Sequence, residues 1–586
     1  KRRVLGMPIN DSDRNDLEHF EYDKAQYIEC MGDLSAPNLP QLNSVQLDVV
    51  RKVLKSPLSL IQGPPGTGKT VTSATIIYNV HRMNPGKKIL VCAPSNVAVD
   101  QLGSRILSTG VNLVRVYSKT LGDDETTILH HRSLRYLALE RLSREKAYNE
   151  CVTQLRIEED PKKIDEIKER LEKDIRTFER KILEEADIIC CTCCGAGDAK
   201  LSAIADQIGA LLIDESTQAV EPECMISFMN SIEQVFLVGD HCQLGPVITS
   251  KIAQRNGLGI PLFSRLLFLG NEPHRLQFQY RMHPLLSEFS SDTFYDGMLK
   301  NAVTGSERRL GCLNNVWYNP EKPMMFLVSE GYDSIGTTGK SYLNDSEVNT
   351  VESIIVKLLE NSIRADQIGV ITPYASQRKL IQTKLEKRIS ANDINDLEIS
   401  SVDGFQGREK DIIIMSTVRS NSNGDIGFLS SPQRLNVSIT RAKYGLIVIG
   451  NPATLMSNPM WTSYIKHFMD NGVLLEGPID DLRPFKVTIN NNSSDPVKFF
   501  QLIPRTRYFE GIEPLPDNMF VNKKGGPAQD PLKALDLMNQ IDVTIDEDDL
   551  DDLDISEDKC DEEGTSTPPL VDEIVLDDVD FDDSEL

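Results

Sequence analysis

Two short stretches carry the residue types that phosphate chemistry requires. In IQGPPGTGKT, residues 61–70, Gly63, Gly68, Lys69 and Thr70 match the pattern G-x-x-x-x-G-K-[ST]. Glycines let backbone N–H groups converge on phosphate oxygens, and the start of a following helix adds positive potential. The pattern needs a strand before it and a helix after it; LSLI precedes it and VTSATIIYNV follows. Gly63, Pro64, Pro65, Gly66, Thr67, Gly68, Lys69, Thr70 and Val71 are therefore the expected cradle of a nucleoside triphosphate. Lys69 would neutralise the β and γ phosphates, and Thr70 would ligate Mg²⁺. The second stretch, LLIDESTQAVEPEC (211–224), ends an apolar run on two adjacent carboxylates, Asp214 and Glu215. Alone, such a pair is usually a solvated strand end. Downstream of a phosphate loop in a parallel sheet, the pair can do chemistry. There Asp214 would hold Mg²⁺ through water, and Glu215 would orient and deprotonate the attacking water. A carboxylate committed to metal cannot also be the base, so two are needed, and the metal relieves their repulsion.

The elements that must position these residues are legible as alternation. From residue 58 onward SLIQG, KILVCAP, VNLVRVY, ADIICCT, ALLIDE and QVFLVGD are short apolar runs, each followed by a helical segment. That is the pattern of a parallel α/β sheet. Past Asn271 a second series begins with MMFLVSE, QIGVITPY, EISSVDGFQG, DIIIMSTV and YGLIVIGN. Two such series imply two α/β domains with a cleft between them. Between Thr120 and Glu185 the pattern turns to charged helix; after Pro161, Ile164, Ile167, Leu171, Ile175, Phe178 and Ile182 recur at spacings of three and four, one apolar stripe. A helical hairpin inserted in the first sheet domain is expected there. Residues 1–40 read as polar and irregular ahead of the short helix in NSVQLDVVRKVL.

Composition bounds the partners. The chain has 586 residues and a formal charge of −25, but 21 acidic residues and one lysine fall in 541–586, leaving −5 for the rest. A nearly balanced body can hold a basic groove; the acidity belongs to the tail. No apolar stretch is long enough for a membrane helix, and no apolar segment follows the basic start, so neither a membrane span nor a signal peptide is expected. Eleven cysteines are too few and too scattered for a disulfide scaffold. CCTCC at 190–194 lacks a second cluster at zinc-ligand spacing, so buried thiols and no zinc are expected.

Four further stretches, VFLVGDHCQLGPV (235–247), LQFQYRMHP (276–284), SVDGFQGREKDIII (401–414) and RLNVSITRAK (434–443), occur in the order and spacing of superfamily-1 helicases. With DESTQA beside GDHCQLGP, the chain resembles the up-frameshift, or regulator-of-nonsense-transcripts, branch of RNA helicases over about residues 40–480. The resemblance implies two tandem RecA-like domains, 41–270 with the helical insertion 120–185, and 271–484. By composition, and outside the shared motifs, a C-terminal extension (485–527) and a disordered acidic tail (528–586) are expected to follow; against the family pattern, 1–40 is expected to be a residual stalk of a β-barrel that is largely absent. By similarity Gln46 reads the adenine edge, Tyr280 stacks on the base and Glu409 lies near the ribose. Gln243 would couple the γ phosphate to the nucleic-acid site, and Arg281 and Arg441 would reach that phosphate across the cleft. An arginine so placed is worth about 10³ to 10⁵ in rate.

The expected cofactors are ATP and Mg²⁺. Expected partners are single-stranded RNA or DNA, travelled 5′ to 3′, and messenger-RNA surveillance proteins in the cytoplasm. The strand grip is expected at loops after strands: Pro94, Ser95 and Asn96 in one domain, Thr372, Pro373 and Tyr374 in the other. Tyr374 would stack on a base, or else be a core aromatic at a strand end. The acidic tail would dock a partner or compete with RNA as a phosphate mimic. Two rivals to an RNA helicase stand beside it: a DNA helicase, and an ATP-gated RNA clamp that barely unwinds.

Overall fold

The structure, a computed structural model, describes residues 11–118, 127–158, 160–336, 339 and 341–488. The apolar runs form two sheets buried on both faces, as parallel strands require. The first contains β1 (Leu58–Gln62), β2 (Lys88–Ala93), β3 (Leu113–Arg115), β4 (Ile188–Thr192), β5 (Ile208–Ile213), β6 (Gln234–Gly239) and β7 (His274–Arg275). They run parallel in the order β3-β4-β2-β5-β6-β1-β7. Ile61 lies opposite Val238 on one side and His274 on the other, so the phosphate loop leaves the sheet one strand away from the loop after β6. Successive residues alternate between two cores: Leu60, Leu90 and Leu211 on one face, Ile61, Ile89 and Leu212 on the other.

The chain crosses to the second lobe through β8 (Phe278–Gln279), which pairs with β9 (Lys300–Asn301). The second sheet holds β10 (Met324–Val328), β13 (Ile368–Ile371), β14 (Glu398–Ser400), β15 (Lys410–Ser416), β16 (Ala442–Gly450), β17 (Leu474–Glu476) and β18 (Arg483–Pro484). Their order is β14-β13-β15-β16-β10-β17-β18, with β17 and β18 antiparallel and the rest parallel. A small antiparallel pair, β11 (Ser334–Ile335) and β12 (Tyr342–Leu343), lies apart. The apolar core of this lobe takes in Cys242 and Leu244 from the first, so the lobes share buried surface.

Four local expectations are corrected. Residues 11–31 are helical rather than irregular; Ile28 from that helix is buried in the first core, and Lys24 Nζ donates to Asn84 Oδ1 at 2.6 Å. The first sheet extends past 270, because β7 pairs with β1. LNVSIT, whose apolar alternation would by itself suggest a strand, lies at the end of a helix: Pro432–Ile439 is helical, opened by Ser431 as cap and Pro432 at its first position, a start signal that overrides the alternation. The insertion is three helices, Leu134–Ser143, Lys146–Ile157 and Pro161–Glu185, rather than a hairpin. Of the long helix's stripe only Ile175 and Ile182 are buried, where it meets the sheet, while Ile164, Ile167 and Leu171 are half-buried. Glu179, also buried, pairs with Lys200 at 2.9 Å. The acidic tail, and the extension from 489 onward, lie outside the described residues.

Candidate nucleotide cleft between the lobes

The loop after β1 is shaped by close approaches that only glycine permits. Gly66 has φ +70° and Gly68 φ +79°, both in the left-handed region. A Cβ on Gly63 would sit 2.0 Å from Lys69 Cγ, and one on Gly66 would sit 2.6 Å from Arg281 Cβ. The second contact matters more: the phosphate loop of one lobe lies directly against the arginine of QYRMHP. Tyr280 N also donates to Gly66 O at 2.8 Å. Helix Lys69–Met83 starts at Gly68 with no side-chain cap, leaving its first N–H groups for an anion.

Gln46 is buried beside this loop. Its Oε1 accepts from Asn43 N at 3.0 Å, Asn43 Oδ1 accepts from Gln46 N at 2.9 Å, and Gln46 Nε2 donates to Thr67 O at 3.0 Å. This capping box fixes the helix Ser44–Val53 and ties it to the phosphate loop. Asn43 Nδ2 donates to the Tyr280 hydroxyl at 2.8 Å, which anchors an otherwise exposed ring at the mouth of the cleft.

Asp214 and Glu215 leave β5 facing the loop. Lys69 Nζ lies 3.2 Å from Glu215 Oε1, and Gln218 Nε2 donates to Glu215 Oε2 at 2.9 Å. Glu215 has φ +48°, a strained backbone, and its N–H donates to Asp214 Oδ1 at 3.0 Å. Asp214 is buried; desolvation first, then the charge of Glu215, push its carboxyl up to about 7. A carboxylate in that position needs a cation to stay ionised. The Thr70 hydroxyl makes no hydrogen bond among the described residues, whereas those of Thr72 and Thr75 bond back to Gly68 O and Val71 O. Two hard oxygen donors of this kind fit magnesium. Asp240, His241 and Cys242 also cluster their donor atoms. They do not suit a metal, because Asp240 is consumed by hydrogen bonds and the Cys242 thiol donates to Phe294 O at 3.3 Å.

The second lobe supplies the opposite wall. Arg281 Nε bonds Glu409 Oε2 at 2.5 Å and Nη1 donates to Thr440 O at 3.0 Å; Lys443 Nζ lies 3.0 Å from Glu409 Oε1. Glu409 is held below the usual carboxylate range by these cations, although burial opposes them. Arg441 is only 2 % exposed. It donates to Val437 O, Thr440 Oγ1 and, at 3.4 Å, Gln243 Oε1, and it has no ion pair among the described residues. Burial, and the charge of Arg281, pull its guanidinium down to about 9. Arg308 lies outside the recognised motifs, yet its Nε donates to Arg281 O at 2.7 Å and its Nη2 to Tyr280 O at 2.6 Å.

The loops expected to grip a strand differ. After β2, Ser95 is exposed and caps the helix Asn96–Leu107, and Asn96 Oδ1 accepts from Arg115 Nη2 at 2.7 Å. After β13, Pro373 is half-buried, but Thr372 is buried and Tyr374 is 4 % exposed. The Tyr374 ring packs against Tyr342 at 5.7 Å and Phe428 at 5.9 Å. Tyr374 is thus a core aromatic, and neither its ring nor the Thr372 side chain is open to a strand.

The chain is similar to several known proteins. Two AAA domain models match residues 41–159 with 123–251, and 258–453. The chain is 46% identical over 455 residues to a regulator of nonsense transcripts 1 homolog of Arabidopsis thaliana, covering 76% of this chain and 35% of that protein. It is 45% identical to the ATP-dependent helicase upf1 of Schizosaccharomyces pombe, covering 78% and 50%. With the ATP-dependent helicase NAM7 of Saccharomyces cerevisiae the identity is 46%, covering 80% and 47%. The chain spans about a third to a half of the length of these relatives. Among solved structures, the DUF1998 helicase MrfA bound to DNA matches with a TM-score of 0.38 at 11% identity, covering 75% of this chain and 53% of that one.

Proposed function

Because the chain belongs to the regulator-of-nonsense-transcripts family of helicases, we propose that it is an ATP-driven motor on single-stranded RNA, acting in nonsense-mediated mRNA decay. The observation that carries this reading is Arg441. A buried guanidinium bonded only to neutral groups is placed to meet an anion, and it faces Gln243 of the other lobe.

In this mechanism the backbone of Gly63–Thr70 and Lys69 take the β and γ phosphates of ATP. Lys69 must then leave Glu215, which frees that carboxylate to orient the attacking water and accept its proton. Magnesium, held by Thr70 and Asp214, would neutralise phosphate charge. Arg281 and Arg441 stabilise the γ phosphoryl as charge develops on it, and Gln243 links the phosphate to the lobe contact. Hydrolysis removes the group both arginines contact, so closure is lost with it. Repeated closure on a bound strand moves the chain along it, in the 5′-to-3′ sense that family membership suggests. Pro94, Ser95, Asn96 and Pro373, after β2 and β13, remain the proposed strand contacts.

ATP turnover of the purified chain, with and without single-stranded RNA or DNA and beside Glu215→Gln, tests the reading. Strong stimulation by RNA, lost in the variant, supports it. Equal or better stimulation by DNA moves the substrate to DNA. Turnover without displacement of a paired strand turns the motor into an ATP-gated clamp.

A further inference from the structure

Gln243 is not held by its own lobe alone. Its Nε2 donates to Asp240 Oδ2 at 2.6 Å, and the same oxygen accepts the Tyr295 hydroxyl at 2.8 Å. Tyr295 belongs to the second lobe, immediately after the helix Pro284–Phe294. Its oxygen accepts from Asn436 Nδ2 at 2.9 Å, so its one proton is committed to Asp240. Asn436 Nδ2 also donates to the Cys242 carbonyl at 2.9 Å. One turn on, the Thr440 hydroxyl donates to Asn436 O at 2.7 Å, and Arg441 Nη2 donates to Thr440 Oγ1 at 2.9 Å and to Gln243 Oε1 at 3.4 Å. The bonds close a ring: Gln243, Asp240, Tyr295, Asn436, Thr440, Arg441. Every member is buried.

Two of the ring's links, Tyr295 to Asp240 and Arg441 to Gln243, cross from one lobe to the other. The lobes cannot separate without breaking both, whereas the bond between Gln243 and Asp240 survives separation. Gln243 therefore has two states, one held by both Arg441 and an Asp240 that Tyr295 fixes, and one held by Asp240 alone. Such an element can report lobe closure to the phosphate.

We propose that Tyr295 is a positioning residue through which the second lobe, acting on Asp240, aims the Gln243 amide at the γ phosphate. The inference rests on the motor reading and adds the part that couples closure to chemistry. Tyr295→Phe keeps the ring and its volume and deletes one proton donor. The expected result is a drop of about tenfold in kcat with a change under about twofold in KM for ATP. In a Gln243→Ala background the same substitution should cost less than about twofold, because the residue it acts through is gone. Equal losses in both backgrounds, or full turnover in Tyr295→Phe, would overturn the inference. If Tyr295→Phe melts well below the wild type, Asn436→Ser reaches the same phenol from the other side and gives the same comparison. A wild type that hydrolyses ATP but ignores nucleic acid sinks the motor reading only, since the two backgrounds can still be compared on unstimulated turnover.

Discussion

The two walls of the cleft are built differently. The first-lobe wall is mostly main chain: glycines at φ +70° and +79°, an uncapped helix start and one lysine. The second-lobe wall is made of side chains, two arginines held by carbonyls, a hydroxyl, Glu409 and a glutamine. Main-chain donors fixed by a strand and a helix hold a phosphate wherever the lobes stand. Side chains held across a lobe boundary act only when the lobes meet. The first wall should therefore set the affinity for any nucleotide, and the second should set the rate together with the extra affinity that a terminal phosphate adds.

The largest effects should come from the second wall. Arg441→Ala or Arg281→Ala should lower turnover by about 10³ to 10⁵ with nucleotide still bound, measured by steady-state hydrolysis beside equilibrium binding. Lost ADP binding in either variant would erase the distinction between the walls. Glu215→Gln comes next: it removes the base but leaves the phosphate loop intact, and should cost about 10² to 10⁴ in kcat while ATP binding is kept or improved.

Gly66→Ala tests the point where the walls touch. Its new methyl meets Arg281 Cβ at 2.6 Å and strains a positive φ, so about 1–2 kcal/mol should be lost from ATP binding. Titration calorimetry finding unchanged affinity would mean that the contact yields freely.

The smallest effect on the cleft should come from another buried charge of the second lobe. Glu347 accepts from Ser416 Oγ at 2.6 Å and Val418 N at 2.9 Å, and burial pushes its carboxyl from 4.5 up to about 7. Its folded pKa is raised, so its contribution to stability is present below pH 4.5 and lost as pH rises to about 7. Glu347→Gln should flatten that part of the stability curve, by about 3 kcal/mol, and leave turnover unchanged. Denaturant melts across this pH range check it. Unlike Arg441, Glu347 finds all its partners within its own lobe, and a buried charge of that kind is structural.

Much of the first wall was legible because its residues are contiguous: Gly63–Thr70 and Asp214–Glu215 each carry their pattern within a few positions. The ring through Asp240, Tyr295 and Asn436 was not, because a tyrosine and an asparagine carry no signal until the fold joins positions 55 and 141 residues apart. Tyr374 misled for a related reason: a tyrosine after a strand reads the same whether its ring meets solvent or Phe428. LNVSIT alternates like a strand, yet Ser431 and Pro432 just before it are a helix start. Fold class was easier, since two series of fully apolar runs admit few arrangements besides parallel sheets.

The claim on which the rest stands is that the arginines of the second lobe touch only the terminal phosphate. The affinity of Arg281→Ala for ADP and for a non-hydrolysable ATP analogue measures it directly. The predicted result is that the analogue binds about tenfold more weakly than to the wild type while ADP is unchanged within about twofold. Equal weakening of both nucleotides, or of neither, would contradict the account.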